Sequence, residues 1–455
     1  MADSVRPEAT GGPPSRRAGF GTTPRFAAAV VLVAVLAAGF AVAFRASLAW
    51  VLRLVGGAGD VVTVMTHAPV WLRLLAPAAG GLVAGLVARG LAGAQSGRGV
   101  GDVMEAVVLG RVHLRIGVTL LKSFASWAAI VSGGSLGREG PLIQFGGAAG
   151  KLASDRLGLS TRRARVLIAA GTAAGFAAAY NTPFAAVLFV LEVVTGVVVL
   201  DAILPALLAT AMATVITRAV AGAGPIYGQQ AFSLQAPSEL VAFAGLGVGA
   251  AFGAQAFMRA LSWGERVFAQ PWLVQPWRAA LGGLAAGAVI AFLPAVAGNG
   301  YEPLQALLGG KFTALFVAEL LLGKCLATVA SVSSGSPGGV FTPTLLIGGA
   351  IGVLFRHGIG WTGAELGAPG GYALVGMAAA TAATTHAPLL AAVMAFELSG
   401  DYAIVLPLVS ATAIATVVSR WLRHDSIYAA ELRGRGVAWE LTMEGRRVVD
   451  AKDRS

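Results

Sequence analysis

The stretch SGGSLGREGP, residues 132–141, sets Arg138 beside Glu139 among glycines, just ahead of Pro141. A charge at the centre of a spanning helix costs about 2.5 to 3.5 kcal/mol on insertion scales, so a carboxylate in so apolar a chain needs a purpose. Proline suits the first helical position, where its missing N–H costs nothing; a helix is expected to open at Pro141. The free N–H groups of a helix start carry partial positive charge and hold anions without a full positive charge. An ionised Glu139 can occupy such a site itself. Protonated, it loses the attraction and can swing away, so one residue can serve as gate and proton carrier. The plainer alternative is a carboxylate paired with Arg138 or Lys122 for structure only.

The same design recurs. SGSPGGVFTPTLLIGGAIG (334–352) lies over SGGSLGREGPLIQFGGAAG (132–150) at an offset of 202, with Pro343 matching Pro141. Lys122 and Lys324 each stand 17 residues ahead of the matched pair Glu139 and Phe341. GRGV (97–100) matches GNGY (298–301), and NTPFAAVLFVLE (181–192) matches HAPLLAAVMAFE (386–397). Four blocks in the same order indicate a duplicated domain, a common plan in transporters, whose sites lie at the repeat interface near the bilayer midplane. Glycine-rich backbone survives at that depth only where it is buried in protein or lines a cavity. Close helix packing is the competing use of these glycines.

The elements that must position these loops are membrane helices. The chain has 455 residues, 56% hydrophobic and 12% charged, with 62 glycines, and its mean hydropathy is +0.75. A soluble protein of that balance would expose far too much apolar surface. Stretches near the ~20 residues that cross a bilayer recur, among them 26–43, 72–87, 185–208, 240–256, 279–297, 313–332, 372–398 and 404–418. The fold class is therefore an all-α polytopic membrane protein. Residues 1–25 read as a disordered tail rather than a signal peptide, and their arginines favour a cytosolic N-terminus. Residues 26–430 form the membrane domain, with halves at about 26–220 and 235–430, and 431–455 form a short cytosolic tail. The single cysteine, Cys325, excludes an internal disulfide and any cysteine-based metal cluster. No cofactor or metal is called for. The net charge of +11 is spread over tails and loops, which suits a lipid surface, and no basic-aromatic pattern for nucleic acid is present.

These residues resemble the CLC family of chloride channels and chloride/proton antiporters, over roughly residues 26–430. GREGP (137–141) and GSPGGVFTP (335–343) look like two of its selectivity motifs, GRGVGDVMEAV (97–107) stands where the first would be, and SIYAAEL (426–432) resembles the segment carrying its central tyrosine. The resemblance implies a CLC-type fold of two inverted halves, with about 18 tilted and partly broken helices. It implies a bacterial form without cytosolic CBS domains or nucleotide control, a homodimer in the plasma or inner membrane, and both termini cytosolic. By position Glu139 is then the gating glutamate, and Tyr428 is the hydroxyl donor at the central anion. The N–H groups of Val340 and Phe341 hold that anion, and those around Arg138–Gly140 hold an outer one. From the residues alone, Tyr428 reads as an interfacial aromatic.

Two departures from the family pattern stand out. Arg98 replaces the serine of the first motif. It can bind an anion through its fork of donors and favour planar oxyanions such as bicarbonate or nitrate, pair with Glu139 or Asp102, or snorkel to water. Gly101 replaces the motif's proline. Val193 replaces the inner glutamate that relays protons in the exchangers, which leaves uncoupled anion conduction open. The neighbouring Glu192, matched by Glu397, is expected to cap or hydrogen-bond within its own half. Lys122 and Lys324 are expected to be buried amines bonded to carbonyls. His386 can titrate near neutral pH, though packing is its expected role, and Cys325 is expected in the core. An enzyme is not expected: no HExxH, credible GxSxG or paired carboxylates are found. A cation transporter would not aim helix N-termini at the centre. The expected function is transport of small anions, chloride first, through a path gated by Glu139 and open to proton coupling.

Overall fold

The structure, a computed structural model, describes residues 24–91, 99–109, 114–222, 227, 232, 234–361, 363, 365–436, 438–442 and 445–449. Among these residues the chain forms eighteen α-helices. The first nine are α1 (Pro24–Gly56), α2 (Val61–His67), α3 (Val70–Gly90), α4 (Val100–Met104), α5 (Ile116–Val131), α6 (Glu139–Arg156), α7 (Thr161–Tyr180), α8 (Pro183–Leu188) and α9 (Leu200–Ala221). The second nine are α10 (Glu239–Phe268), α11 (Trp277–Phe292), α12 (Tyr301–Leu308), α13 (Ala314–Ser333), α14 (Phe341–Gly360), α15 (Pro369–Thr385), α16 (Pro388–Ser399), α17 (Val405–Leu422) and α18 (Ile427–Gly434). Seven helical stretches are long and apolar enough to cross a bilayer, and shorter apolar helices complete the set. Large apolar side chains such as Phe292, Trp361 and Trp421 stand exposed on the outside, as a lipid-facing surface requires. The departure from helix among the described residues is an antiparallel hairpin, Ala438–Thr442 with Gly445–Val449. It follows α18, which itself runs across the boundary drawn at residue 430.

Helices α3 to α9 repeat as α11 to α17, in two inverted halves, and the contacts between and within them are reciprocal. A Cβ on Gly81 would strike the carbonyl of Ala279, and one on Gly283 would strike the carbonyl of Pro77. A Cβ on Gly80 would strike Ser132 Oγ, and one on Gly282 would strike Ser334 Oγ. Every partner is displaced by the same 202 residues. Contacts in which i meets j and j meets i define a two-fold relation, and the missing side chains let α3 and α11 touch through their backbones.

Two apolar runs read from sequence as single spans are broken in the structure. Residues 185–208 divide at Gly196, whose φ of 74° ends the π-helical stretch Phe189–Thr195 before α9 begins. Residues 372–398 divide at His386, which ends α15 in the left-handed conformation ahead of Pro388. Asn181 ends α7 in the same way. Hydropathy carries through these breaks because both flanks are buried in protein, so the period of the pattern alone does not mark them.

Candidate anion site

Helices α6 and α14 open on one spot. Their loops meet in an antiparallel bridge: Gly137 N–H donates to the Gly339 carbonyl at 2.7 Å, and Gly339 N–H donates to the Gly137 carbonyl at 2.8 Å. This crossing brings the carboxylate of Glu139, the first residue of α6, onto the start of α14. Its Oε1 accepts from Phe341 N–H at 2.8 Å and from Thr342 N–H at 3.4 Å, and its Oε2 accepts from Thr342 Oγ1 at 3.0 Å. Glu139 is 1% exposed. Every one of these partners donates, which suits an ionised carboxylate that can only accept. The two oxygens occupy all three of these donors.

Tyr180 Oη lies 2.8 Å from Thr342 Oγ1. The one hydroxyl proton of Thr342 goes to Glu139, so Tyr180 donates to Thr342 and a hydrogen-bonded chain runs Tyr180, Thr342, Glu139. The rings of Phe176, Tyr180 and Phe341 pack on one another, with centroids 5.0 to 5.6 Å apart, and wall this side with apolar surface. Neither Thr342 nor Tyr180 was singled out from sequence. Thr342 sits inside GSPGGVFTP directly before Pro343, the signal that could have found it.

A cavity of about 130 Å³ adjoins the carboxylate and is lined by Glu139, Val100, Val340, Tyr428, Arg423 and Glu431 among others. Tyr428 is therefore buried against this cavity, not placed in an aromatic belt. Val340 caps α14 and lines this cavity, while the donors on Glu139 itself come from Phe341 and Thr342. Gly140 is buried, with its carbonyl packed against Gly99. Arg138 lines a different cavity, of about 470 Å³, with its guanidinium 5.8 Å above the ring of Tyr301. Arg98 lies outside the described residues.

The remaining charges are tied into the scaffold. Buried Asp102 on α4 accepts from Lys122 Nζ at 2.8 Å, Gln144 Nε2 at 2.9 Å and Arg435 Nη1 at 2.9 Å. Arg435 also reaches Glu105 at 3.5 Å and pairs with Glu431. This ties the end of α18, which carries Tyr428, to the helix behind the first loop. A Cβ at Gly101 would stand 3.0 Å from Arg435 Nη2 and 3.2 Å from Glu431 Oε1; the glycine found in place of proline leaves room for that ion pair. The matched lysines thus differ. Lys324 donates to the carbonyls of Val296 and Gly298 at 3.1 and 2.8 Å, as expected of a buried amine, whereas Lys122 holds a carboxylate. His386 packs with its Nε2 3.4 Å from Ser419 Oγ, and Cys325 packs partly buried against the core.

Glu192 and Glu397, expected to bond within their own halves, reach across to the opposite one. Glu192 accepts from the N–H groups of Leu389 and Leu390 at the start of α16, at 3.3 and 2.6 Å. Glu397 accepts from those of Phe184 and Ala185 at the start of α8, at 3.0 and 2.8 Å. Each caps the opposite half, because the two-fold relation sets each helix start beside the partner's carboxylate. Val193, the next residue, is buried and apolar.

Inverted halves, buried helix starts facing one another and a carboxylate lodged on their amides define a multi-pass membrane protein that moves small anions. The comparisons with known proteins give the family. Residues 80–420 match the profile of the voltage gated chloride channel family, and the chain belongs to that family. It is 36% identical over 400 residues to a protein of Ralstonia nicotianae named chloride channel protein ClcB-like, across 86% of this chain and 92% of that one. It is 36% identical over 407 residues to the voltage-gated ClC-type chloride channel ClcB of Escherichia coli, across 87% of this chain and 96% of that one. Its fold superposes on the crystal structure of a slow cyanobacterial Cl⁻/H⁺ antiporter with a TM-score of 0.83 at 25% identity, covering 91% of this chain and 98% of the other.

Proposed function

We propose that the anion carried is chloride, and that Glu139 is both the gate and the group that carries the coupled proton. The observation behind this reading is the carboxylate resting on Phe341 N–H, Thr342 N–H and Thr342 Oγ1. An ionised Glu139 and a chloride compete for the same donors, so the path conducts when the side chain leaves. Protonation removes the charge that the amides hold and frees the side chain to turn away, and an arriving anion takes its place. Return of the carboxylate releases the proton and displaces the anion, which couples the two movements. Tyr428, lining the cavity next to Glu139, supplies a hydroxyl to the anion on that side, and the N–H of Val340 joins that of Phe341 around it. The N–H groups about Arg138 and Gly140 serve the anion on the other side.

With Val193 apolar, protons reach Glu139 through water in the cavity that also holds Tyr428. Water chains can carry protons where no titratable side chain stands. The protein works as a homodimer in the plasma membrane, the inner membrane of a two-membrane cell, with both termini in the cytosol. The relatives named as chloride channels and the neighbour titled a Cl⁻/H⁺ antiporter support chloride and protons as cargo.

The test is flux from liposomes holding the purified protein, with chloride efflux and pH recorded together. Chloride efflux accompanied by opposed proton movement is expected. Anion-independent sodium flux would remove the reading altogether, and chloride efflux without any pH change would remove the proton half of it.

A further inference from the structure

The larger cavity, of about 470 Å³, is lined by two arginines, Arg45 from α1 and Arg138 at the N-cap of α6. Among the described residues neither donates a hydrogen bond to a protein acceptor, and neither lies within 4.0 Å of a carboxylate oxygen. Asp60 and Glu302 line the same space without pairing with them; Asp60 accepts from Thr63 N–H at 2.7 Å as the cap of α2. Arg138 is steadied from one side by the ring of Tyr301, which leaves its edge free to donate. Asn299 lines the space as well and uses its side-chain oxygen on Tyr301 N–H at 3.3 Å. The start of α12, at Tyr301, opens here as well and adds its partial positive charge.

Asp60 and Glu302 balance the two guanidiniums in charge without bonding to them, so it is the donors the forks leave unfilled, rather than a net positive charge, that fit a guest. The guest's size is bounded by the space, which exceeds a bare halide, and its shape by the donors, which are planar forks suited to paired oxygens. The place is significant too. Arg138 is joined by one peptide bond to Glu139, and Glu139 lines the other cavity, so an anion held here waits beside the gate.

We propose that Arg45 and Arg138 form a docking site for a small monovalent anion on this side of Glu139, one that holds planar oxyanions such as nitrate more tightly than halides. Arg45 is its distinctive member.

Two measurements test this. In crystals of the intact protein soaked in bromide, an anomalous peak is expected between the two guanidiniums; bromide found only at Phe341 N–H would overturn the site. In liposomes, Arg45→Gln should raise the half-saturating nitrate concentration about tenfold and the chloride value less, and Arg45→Lys should recover part of the loss without the preference for nitrate. Unchanged half-saturation in Arg45→Gln would overturn the proposal. The flux arm rests on the transport reading above and the bromide arm does not: absence of any anion flux in the parent protein, with bromide still lodged between the arginines, would sink transport and keep the site.

Discussion

Gly137 and Gly339, separated by the 202-residue offset of the internal repeat, exchange two backbone hydrogen bonds of 2.7 and 2.8 Å. Equivalent residues of the two halves thus touch one another, which places the two-fold relation between the halves through this bridge. A Cβ on either glycine would collide with the carboxylate of Glu139. The bridge and the seat of the carboxylate are one construction, and the absence of side chains at both positions makes it.

Glu139→Gln should abolish proton-linked movement and leave anion movement in place. A neutral amide keeps the size of the side chain but carries no titrating proton, and it holds the amides of α14 less strongly than a carboxylate does. Chloride efflux with simultaneous pH recording reads both halves. Proton coupling retained by the variant would show that the proton travels elsewhere.

Thr342→Val should lower thermal stability in a buffer without small anions, and Thr342→Ser should not. Valine deletes a donor to a charged acceptor, worth about 1.5 to 3 kcal/mol, and leaves Tyr180 Oη facing a methyl group. Serine keeps the hydroxyl. Equal melting temperatures for valine and parent would remove the hydroxyl from the hold on Glu139.

Glu192→Gln and Glu397→Gln should destabilise by similar amounts, about 1 kcal/mol each, as loss of a helix cap does. The similarity follows from the two-fold relation, since each carboxylate meets two N–H groups at matched positions of the opposite half. Denaturation midpoints of the single variants would check it; a large loss in one and none in the other would mean the caps are not equivalent.

Arg435→Leu should cost about 1.5 to 3 kcal/mol, the loss of one charged hydrogen bond, because Asp102 keeps Lys122 and Gln144 as partners. Gly101→Ala should cost more in the parent than in an Arg435→Ser background, where the crowded guanidinium is gone. A double-mutant cycle on melting temperature measures that difference, and strict additivity would show that Gly101 and Arg435 do not share the space.

Arg98→Ser should change the order of preference among chloride, bicarbonate and nitrate if the guanidinium meets the anion, because it exchanges a charged fork for a single hydroxyl. Liposome flux with each anion in turn gives the order. An unchanged order would place Arg98 outside the path.

Much of this was settled by local sequence. Recurring apolar runs near the length that crosses a bilayer required a membrane protein. The four matched blocks required two halves, and proline ahead of each apolar run marked where α6 and α14 begin. A carboxylate in that setting had to be held by something, and Glu139 was legible as the gate for that reason. The repeat set the second loop against the first, and the family resemblance put the Phe341 N–H at the central anion; that Thr342 adds its N–H and its hydroxyl to the hold on Glu139 was not legible, because it lies about two hundred residues away and nothing within either loop names it. The same holds for Glu192 and Glu397, which read as partners within a half and are exchanged between halves, and for Lys122 and Lys324, alike in position and different in their acceptors. Arg45, Tyr180 and Arg435 each looked ordinary within their own helices. Spacing and composition fix where a helix starts and how deep it lies; only the packing of one half on the other decides which buried donor meets which acceptor, since every polar group sealed from water must find a partner wherever the fold brings one.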